Sequence, residues 1–125
     1  MHDASVIPLY LARRDAFAAF LSAVDAESQV AWHRSDGRFA APDGAPDEVA
    51  AVAAVDAAYL VTRAAFNMIE LEGVGPVAEA RVLVERVSAL HKGGGAEPGW
   101  YGVKKAREGF LSAATRYLRG MLGGE

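Results

Sequence analysis

Hydrophobic positions recur along this chain every three or four residues, which is the spacing of amphipathic α-helices. Three stretches rich in Gly and Pro, the first of them also rich in Asp, separate four such segments, and these residue types favour turns. The segments themselves are rich in Ala, Leu, Arg and Glu, which are good helix formers. The pattern predicts an all-α protein, an antiparallel four-helix bundle that forms a single domain over residues 1–125. The predicted helices cover residues 6–34, 46–72, 76–92 and 98–122.

Residue types that favour helix ends support these boundaries. Ser5 is expected to cap the first helix, and Pro46 suits the first position of the second, where its missing N–H is not needed. Gly75 precedes the third helix. His91 is expected to act as a cation at the negative C-terminal end of that helix.

The second predicted helix is the most informative element. Residues 49–71 include only three charged residues, Asp56, Arg63 and Glu70. Together with Asn67 they fall within a stripe about 60° wide, since successive helical residues are rotated by about 100°. A helix that is apolar almost all round is normally buried almost all round, and one bundle covers only part of it. We therefore expect a homodimer through this helix. The residues predicted for the interface are Val52, Val55, Tyr59, Phe66 and Ile69.

Two features of this helix have a second interpretation. Its many alanines can face water at little cost, which would remove the need for a second subunit. The polar stripe is either a solvated edge or a buried network that fixes register or binds a ligand. A small molecule held between helices is therefore an alternative function. The candidate ligand-binding residues are Tyr59, Arg63, Asn67, Glu70 and Trp100.

The amino-acid composition excludes some kinds of site and argues against one class of ligand. There is no cysteine, which excludes disulfides and thiolate sites, and the net charge of −3 argues against coating of nucleic acid. Residues 98–125 nevertheless hold five bases against two acids. Contact of the fourth helix with nucleic acid is therefore a weaker alternative, and we expect its bases to pair with acidic neighbours instead.

The sequence contains no convincing motif for catalysis or for binding a cofactor. The letters GVGPVA from Gly73 to Ala78 match a dinucleotide-binding pattern, but they join two predicted helices and are expected to form a turn. His2, His33 and His91 lack the spacing of metal ligands. We expect no metal and no cofactor, and we favour a non-catalytic protein, although an enzyme is left open. Trp32 and Trp100 are expected to close one end of the bundle.

No targeting signal is recognised. The N-terminal segment has an acid before its short apolar patch and two arginines after it, the reverse of a secretory signal. No uninterrupted apolar run approaches the roughly 18 residues that cross a bilayer. We expect a cytoplasmic protein without membrane contact.

The segment VDAAYLVTRAAFNMIELEGVGPVAEARVLVERVSAL, followed later by GFLSAATRYLRG, resembles small Ala-rich all-helical proteins of high-GC actinobacteria. Val74 and Gly75 lengthen the turn relative to that pattern. The resemblance implies a helical fold and no assigned activity. The hypothesis from sequence is therefore a small interaction or accessory protein that forms a homo-oligomer, with any further protein partner unidentified.

Overall fold

A computed structural model describes residues 6–35, 44, 47–92 and 99–123. They form four helices, α1 (Val6–Ser35), α2 (Glu48–Glu72), α3 (Val77–Lys92) and α4 (Gly99–Met121). No strand occurs in these ranges. The predicted all-α class is confirmed, and each boundary lies within two residues of its predicted position. Ser5 and Pro46, which were expected at helix starts, lie outside the described residues.

The ends of α2 show why it covers these residues. Asp47 is its N-cap, and the Asp47 carboxylate accepts a hydrogen bond of 3.0 Å from the Ala50 N–H. This bond satisfies one of the amides that a helix start leaves without a partner. At the other end Gly73 takes a left-handed conformation with φ 66°, and its N–H donates to the Ile69 carbonyl. The GVGP segment is therefore a turn between helices, as predicted.

Contacts between helices fit the antiparallel order. Arg13 near the start of α1 contacts Glu72 at the end of α2, and Ala23 farther along α1 contacts Thr62. Residue numbers thus fall along α2 as they rise along α1. The most extensive contacts join α1 to α2 and α3 to α4, and α1 also contacts α3 and α4. Among the described residues, no Cα of α2 lies within 8 Å of a Cα of α4.

Four phenylalanine rings from three helices meet in the core. Phe20 lies with its ring centroid 5.0 Å from that of Phe110 and 6.2 Å from that of Phe66. Phe17 packs edge-on against Phe110 at 5.9 Å. Such tilted and edge-to-face pairs add to the stabilisation from apolar burial. Buried leucine, valine and isoleucine side chains surround them.

The two tryptophans meet at one end of the bundle. The ring centroids of Trp32 on α1 and Trp100 on α4 are 6.0 Å apart, with the planes inclined by 73°. This contact is the aromatic closure that the sequence predicted. Trp32 remains half-exposed, so the closure covers the bundle end only in part.

Candidate functional site

The rotation of α2 about its axis is fixed by its buried side. The Thr62 hydroxyl donates to the Ala23 carbonyl at 3.2 Å, and Phe66 and Ile69 are each only 1% exposed. These two apolar residues were predicted to form the interface between subunits. The structure instead places them in the chain's own core, so they have no surface left for a second copy. Three to four residues per turn put them on the same side as Thr62.

The remaining predicted interface residues differ in exposure. Val55 is half-buried against the chain, whereas Val52 and Tyr59 are exposed. These two exposed side chains lie on the side of α2 that also carries Glu70, which reaches toward α3. The predicted set is therefore divided between the core and the surface, and the largest uncovered area of α2 lies elsewhere.

The side of α2 that faces away from the core is apolar and exposed to solvent. Leu71 is 83% exposed, Val49 82% and Leu60 65%. We call this surface the outward face of α2. Its exposed residues are Val49, Ala50, Ala53, Ala57, Leu60, Val61, Ala64, Met68 and Leu71. Single exposed apolar residues are ordinary, but a contiguous apolar surface of this kind marks an interaction site or an aggregation hazard.

The outward face continues onto α1. An apolar groove of about 100 Å³ lies between the two helices and is lined by Leu9, Ala12 and Met68, among others. Farther along α1, Ala19 and Ala26 are also exposed, and their spacing places them on the same side as Ala12. The uncovered surface is therefore two helices wide.

The polar stripe of α2 is exposed along its whole length within the chain. Glu70 forms an ion pair of 3.2 Å with Arg81 of α3. The Arg63 guanidinium lies over the Phe66 ring, 5.4 Å from its centroid, and so covers one edge of the core. A single chain therefore does not contain the buried network that was one interpretation of this stripe. It borders the outward face on the α3 side.

The predicted ligand-binding residues are not assembled into a pocket. Tyr59, Arg63, Asn67 and Glu70 lie on the exposed side of α2, whereas Trp100 lies on α4, which does not approach α2 in the described residues. Trp100 instead lines an open groove between α1 and α4 with residues such as Asp25, Ser28 and Lys104. The prediction of one pocket shared by these five residues is therefore wrong, because the two helices occupy opposite corners of the bundle.

A buried ionisable pair was missed from sequence. Glu27 is 2% exposed, and its carboxylate lies 3.1 Å from Nε2 of His91. The histidine expected to act as a cation at a helix end therefore pairs across the core with α1. His91 Nδ1 is buried and has no hydrogen-bond partner. A signal was present, because Glu27 falls on the buried stripe that includes Phe20, Val24 and Ala31.

The bases of α4 do not form one continuous patch. At 100° per residue they spread over about half of the helix circumference. The Arg107 guanidinium donates two hydrogen bonds to the Asp25 carboxylate, at 2.8 and 2.9 Å. This hydrogen bonding raises the pKa of Arg107 further above its already high value, against a smaller opposing effect of burial. Lys105 lies over the Tyr101 ring. Pairing of α4 with an acidic neighbour, which the sequence predicts, thus occurs at Arg107.

The described residues contain no group of three or more His, Cys, Asp or Glu side chains placed to hold a metal ion. By length and composition alone, α2 could cross a membrane, because the charged residues that interrupt its apolar sequence are few. No protein-family model matches the chain, and no curated protein or solved structure is significantly similar to it.

Proposed function

We propose that this chain is a small, cytoplasmic, non-catalytic interaction or accessory protein that works as a homodimer through the outward face of α2. One observation supports this proposal above all. The most apolar helix of the chain presents its most exposed large apolar side chains, Leu71, Val49 and Leu60, on the side away from its own core. Burial of each such side chain contributes about 1.5–3 kcal/mol, which gives a strong drive to cover this face.

The size of the face supports a specific dimer. A helix of 25 residues is about 37 Å long, and neighbouring helix axes lie about 8–10 Å apart. The outward face of α2 and the adjoining side of α1 therefore form a strip of roughly 700 Å². Stable interfaces bury about 800 Å² per partner. A second copy needs no other gene product, and a two-fold axis lets both copies cover the same face at once.

A lipid bilayer is the other surface that could cover α2, and the charges of the helix argue against it. Asp56 and Arg63 lie in the middle part of the helix, and charged residues there cost about 2.5–3.5 kcal/mol each on insertion. The inner side of α2 is also occupied, because Phe66 and Ile69 pack into the core of the bundle. Spanning a membrane would require this packing to be given up.

The experiment is a comparison of molar mass in solution by light scattering for two matched variants. Leu60→Glu places a charge in the centre of the outward face, whereas Leu111→Glu places one at an exposed leucine of α4. The native chain and Leu111→Glu are expected to have twice the chain mass of 13.2 kDa at micromolar concentration. Leu60→Glu is expected to have the single-chain mass, because a buried unpaired charge opposes association.

Circular dichroism provides the control, since both substitutions are at exposed positions and should leave the helix content unchanged. Equal masses for the two leucine variants would overturn the proposal that α2 mediates association. Dissociation of the dimer by Leu111→Glu but not by Leu60→Glu would overturn the proposal and place the interface on α4.

A further inference from the structure

We infer that two copies pack their α2 helices antiparallel about a two-fold axis that passes between Leu60 and Val61. This inference rests on the proposed homodimer and adds its register. In such a pair, a residue that lies some number of positions before the axis faces the residue that lies the same number after it in the other copy. The sequence of the outward face can therefore be tested for complementarity with itself.

Side-chain sizes are complementary in this register. Ala50 and Ala53 near the start of α2 face Leu71 and Met68 near the end of the other α2. All four side chains are exposed in the single chain, and Leu71 and Met68 are among its most exposed large apolar residues. Small residues opposite large ones let two helices interdigitate without voids. The two-fold axis makes each such pair occur twice.

The centre of the seam has the same property. Ala57 of one copy faces Ala64 of the other, so the helices can approach closely on both sides of the axis. Leu60 and Val61 then pack against each other across the axis itself. Both of these larger residues are more than half exposed in the single chain and would be covered.

Charges are also complementary. In an antiparallel pair, the flank of one helix lies beside the same flank of the other. The polar stripe therefore lies beside the polar stripe of the second copy. Asp56 of one copy faces a position two residues from Arg63 of the other, which is an offset of about 3 Å along the helix axis. A carboxylate and a guanidinium can pair over this offset, and the symmetry makes two such pairs. Neither side chain forms an ion pair within the described chain.

A parallel pair lacks these features. Each seam residue would face its own copy, which puts Leu71 against Leu71 at one end and Ala50 against Ala50 at the other. The bulky end would hold the small end apart and leave voids, which destabilise packed interfaces. The polar stripe would also lie beside the apolar flank of the second copy, so Asp56 would not meet Arg63.

Cysteine cross-linking tests the register, because the native chain has no cysteine. The variants are Ala50→Cys, Leu71→Cys and Leu60→Cys, all at exposed positions. Under mild oxidation, Leu60→Cys is expected to form a disulfide with its own copy at the axis. Ala50→Cys and Leu71→Cys are each expected to stay unlinked alone. A co-refolded mixture of the two is expected to yield the Ala50→Cys–Leu71→Cys dimer, identified by mass spectrometry of the linked peptides.

Charge reversal gives an independent test. Asp56→Arg and Arg63→Asp singly place like charges together and are expected to raise the dimer dissociation constant about tenfold. The double variant exchanges the two charges and is expected to restore it to within about threefold. Glu85→Arg, at an exposed position of α3 away from the seam, is the matched control and should leave the constant unchanged.

The outcomes separate this inference from the proposal on which it rests. A monomeric native chain would overturn both. A native dimer in which Ala50→Cys links to its own copy, or in which the double charge variant is no tighter than the single ones, would overturn the antiparallel register alone. Linkage of Ala50→Cys to Leu71→Cys together with charge rescue would support it.

Discussion

The Thr62 hydroxyl donates a hydrogen bond to the main-chain carbonyl of Ala23, and this buried contact of 3.2 Å ties the middle of α2 to α1. Leu60, two residues away, is rotated by about 200° from Thr62 and therefore points away from the bundle. The contact thus decides which apolar side of α2 is used inside the chain and which is left for association.

Truncation of a side chain on the core side of α2 should weaken folding, whereas truncation on the outward face should weaken association. Phe66→Ala removes a ring from the core and is expected to lower the free energy of unfolding by about 3–5 kcal/mol. Leu71→Ala should change the free energy of unfolding of the dissociated chain by less than about 0.5 kcal/mol and instead weaken association. Denaturant unfolding at low protein concentration measures the first effect. A large loss of stability for Leu71→Ala under those conditions would show that the chain itself buries this side chain.

Glu27 and His91 should stabilise the fold as a pair. His91→Leu leaves the Glu27 carboxyl buried without its partner and is expected to lower the free energy of unfolding by about 1–3 kcal/mol. Replacement of both residues by leucine should cost less than the sum of the two single changes, since no unpaired polar group remains. A double-mutant cycle by denaturant unfolding measures this coupling. Strict additivity of the two single effects would exclude an interaction between them.

The N-cap of α2 should depend on a side-chain oxygen at position 47. Asp47→Ala removes the acceptor for the Ala50 N–H and is expected to lower the free energy of unfolding by about 0.5–2 kcal/mol. Asp47→Asn and Asp47→Ser retain an acceptor and should lose much less. Thermal unfolding of the three variants side by side tests this order. Equal stability of all three would mean that the cap contributes nothing.

Replacement by alanine should change the free energy of unfolding in opposite directions at two glycines. Gly75 has φ 77°, and a Cβ there would lie 3.2 Å from the Phe17 ring and 3.3 Å from the Tyr117 ring. Gly75→Ala is therefore expected to destabilise the chain by about 1–3 kcal/mol. Gly109 lies within α4, where a Cβ meets no neighbour, so Gly109→Ala is expected to stabilise by about 0.5–1 kcal/mol. The same sign of change for both would contradict the conformation of the turn.

The helices and turns follow from local sequence, because helix formers, caps and glycines act over a few residues. The beginning of α2 illustrates the accuracy that this permits. Pro46 suits a first helical position, but Asp47 supplies the acceptor that caps the helix, and the helix begins at Glu48. Such competition between adjacent helix-starting residues leaves a boundary uncertain by one or two positions.

The rotation of α2 could not be obtained from its sequence in the same way. A helix that is apolar on nearly all sides offers no contrast between a core side and an outer side. The 3-4 spacing of Val52, Val55, Tyr59, Thr62, Phe66 and Ile69 marks one side of the helix, but this side is divided between the core and an exposed edge. Only the contact of Thr62 with Ala23, which joins positions 39 residues apart, separates them.

Long-range pairs were missed for the same physical reason. Glu27 occupies a core stripe where an acid is unfavourable unless it finds a partner, and that partner lies 64 residues away. Trp100 could be assigned to a bundle end, but its distance from α2 depends on which helices are neighbours. Neither fact is contained in the local pattern of residues.

The molar mass of the native chain in solution tests the central claim most directly. Sedimentation equilibrium over a dilution series from high to low micromolar concentration is expected to show twice the chain mass of 13.2 kDa, with dissociation only at the lowest concentrations. A single-chain mass throughout the series would contradict the account, because the outward face of α2 would then remain open to water.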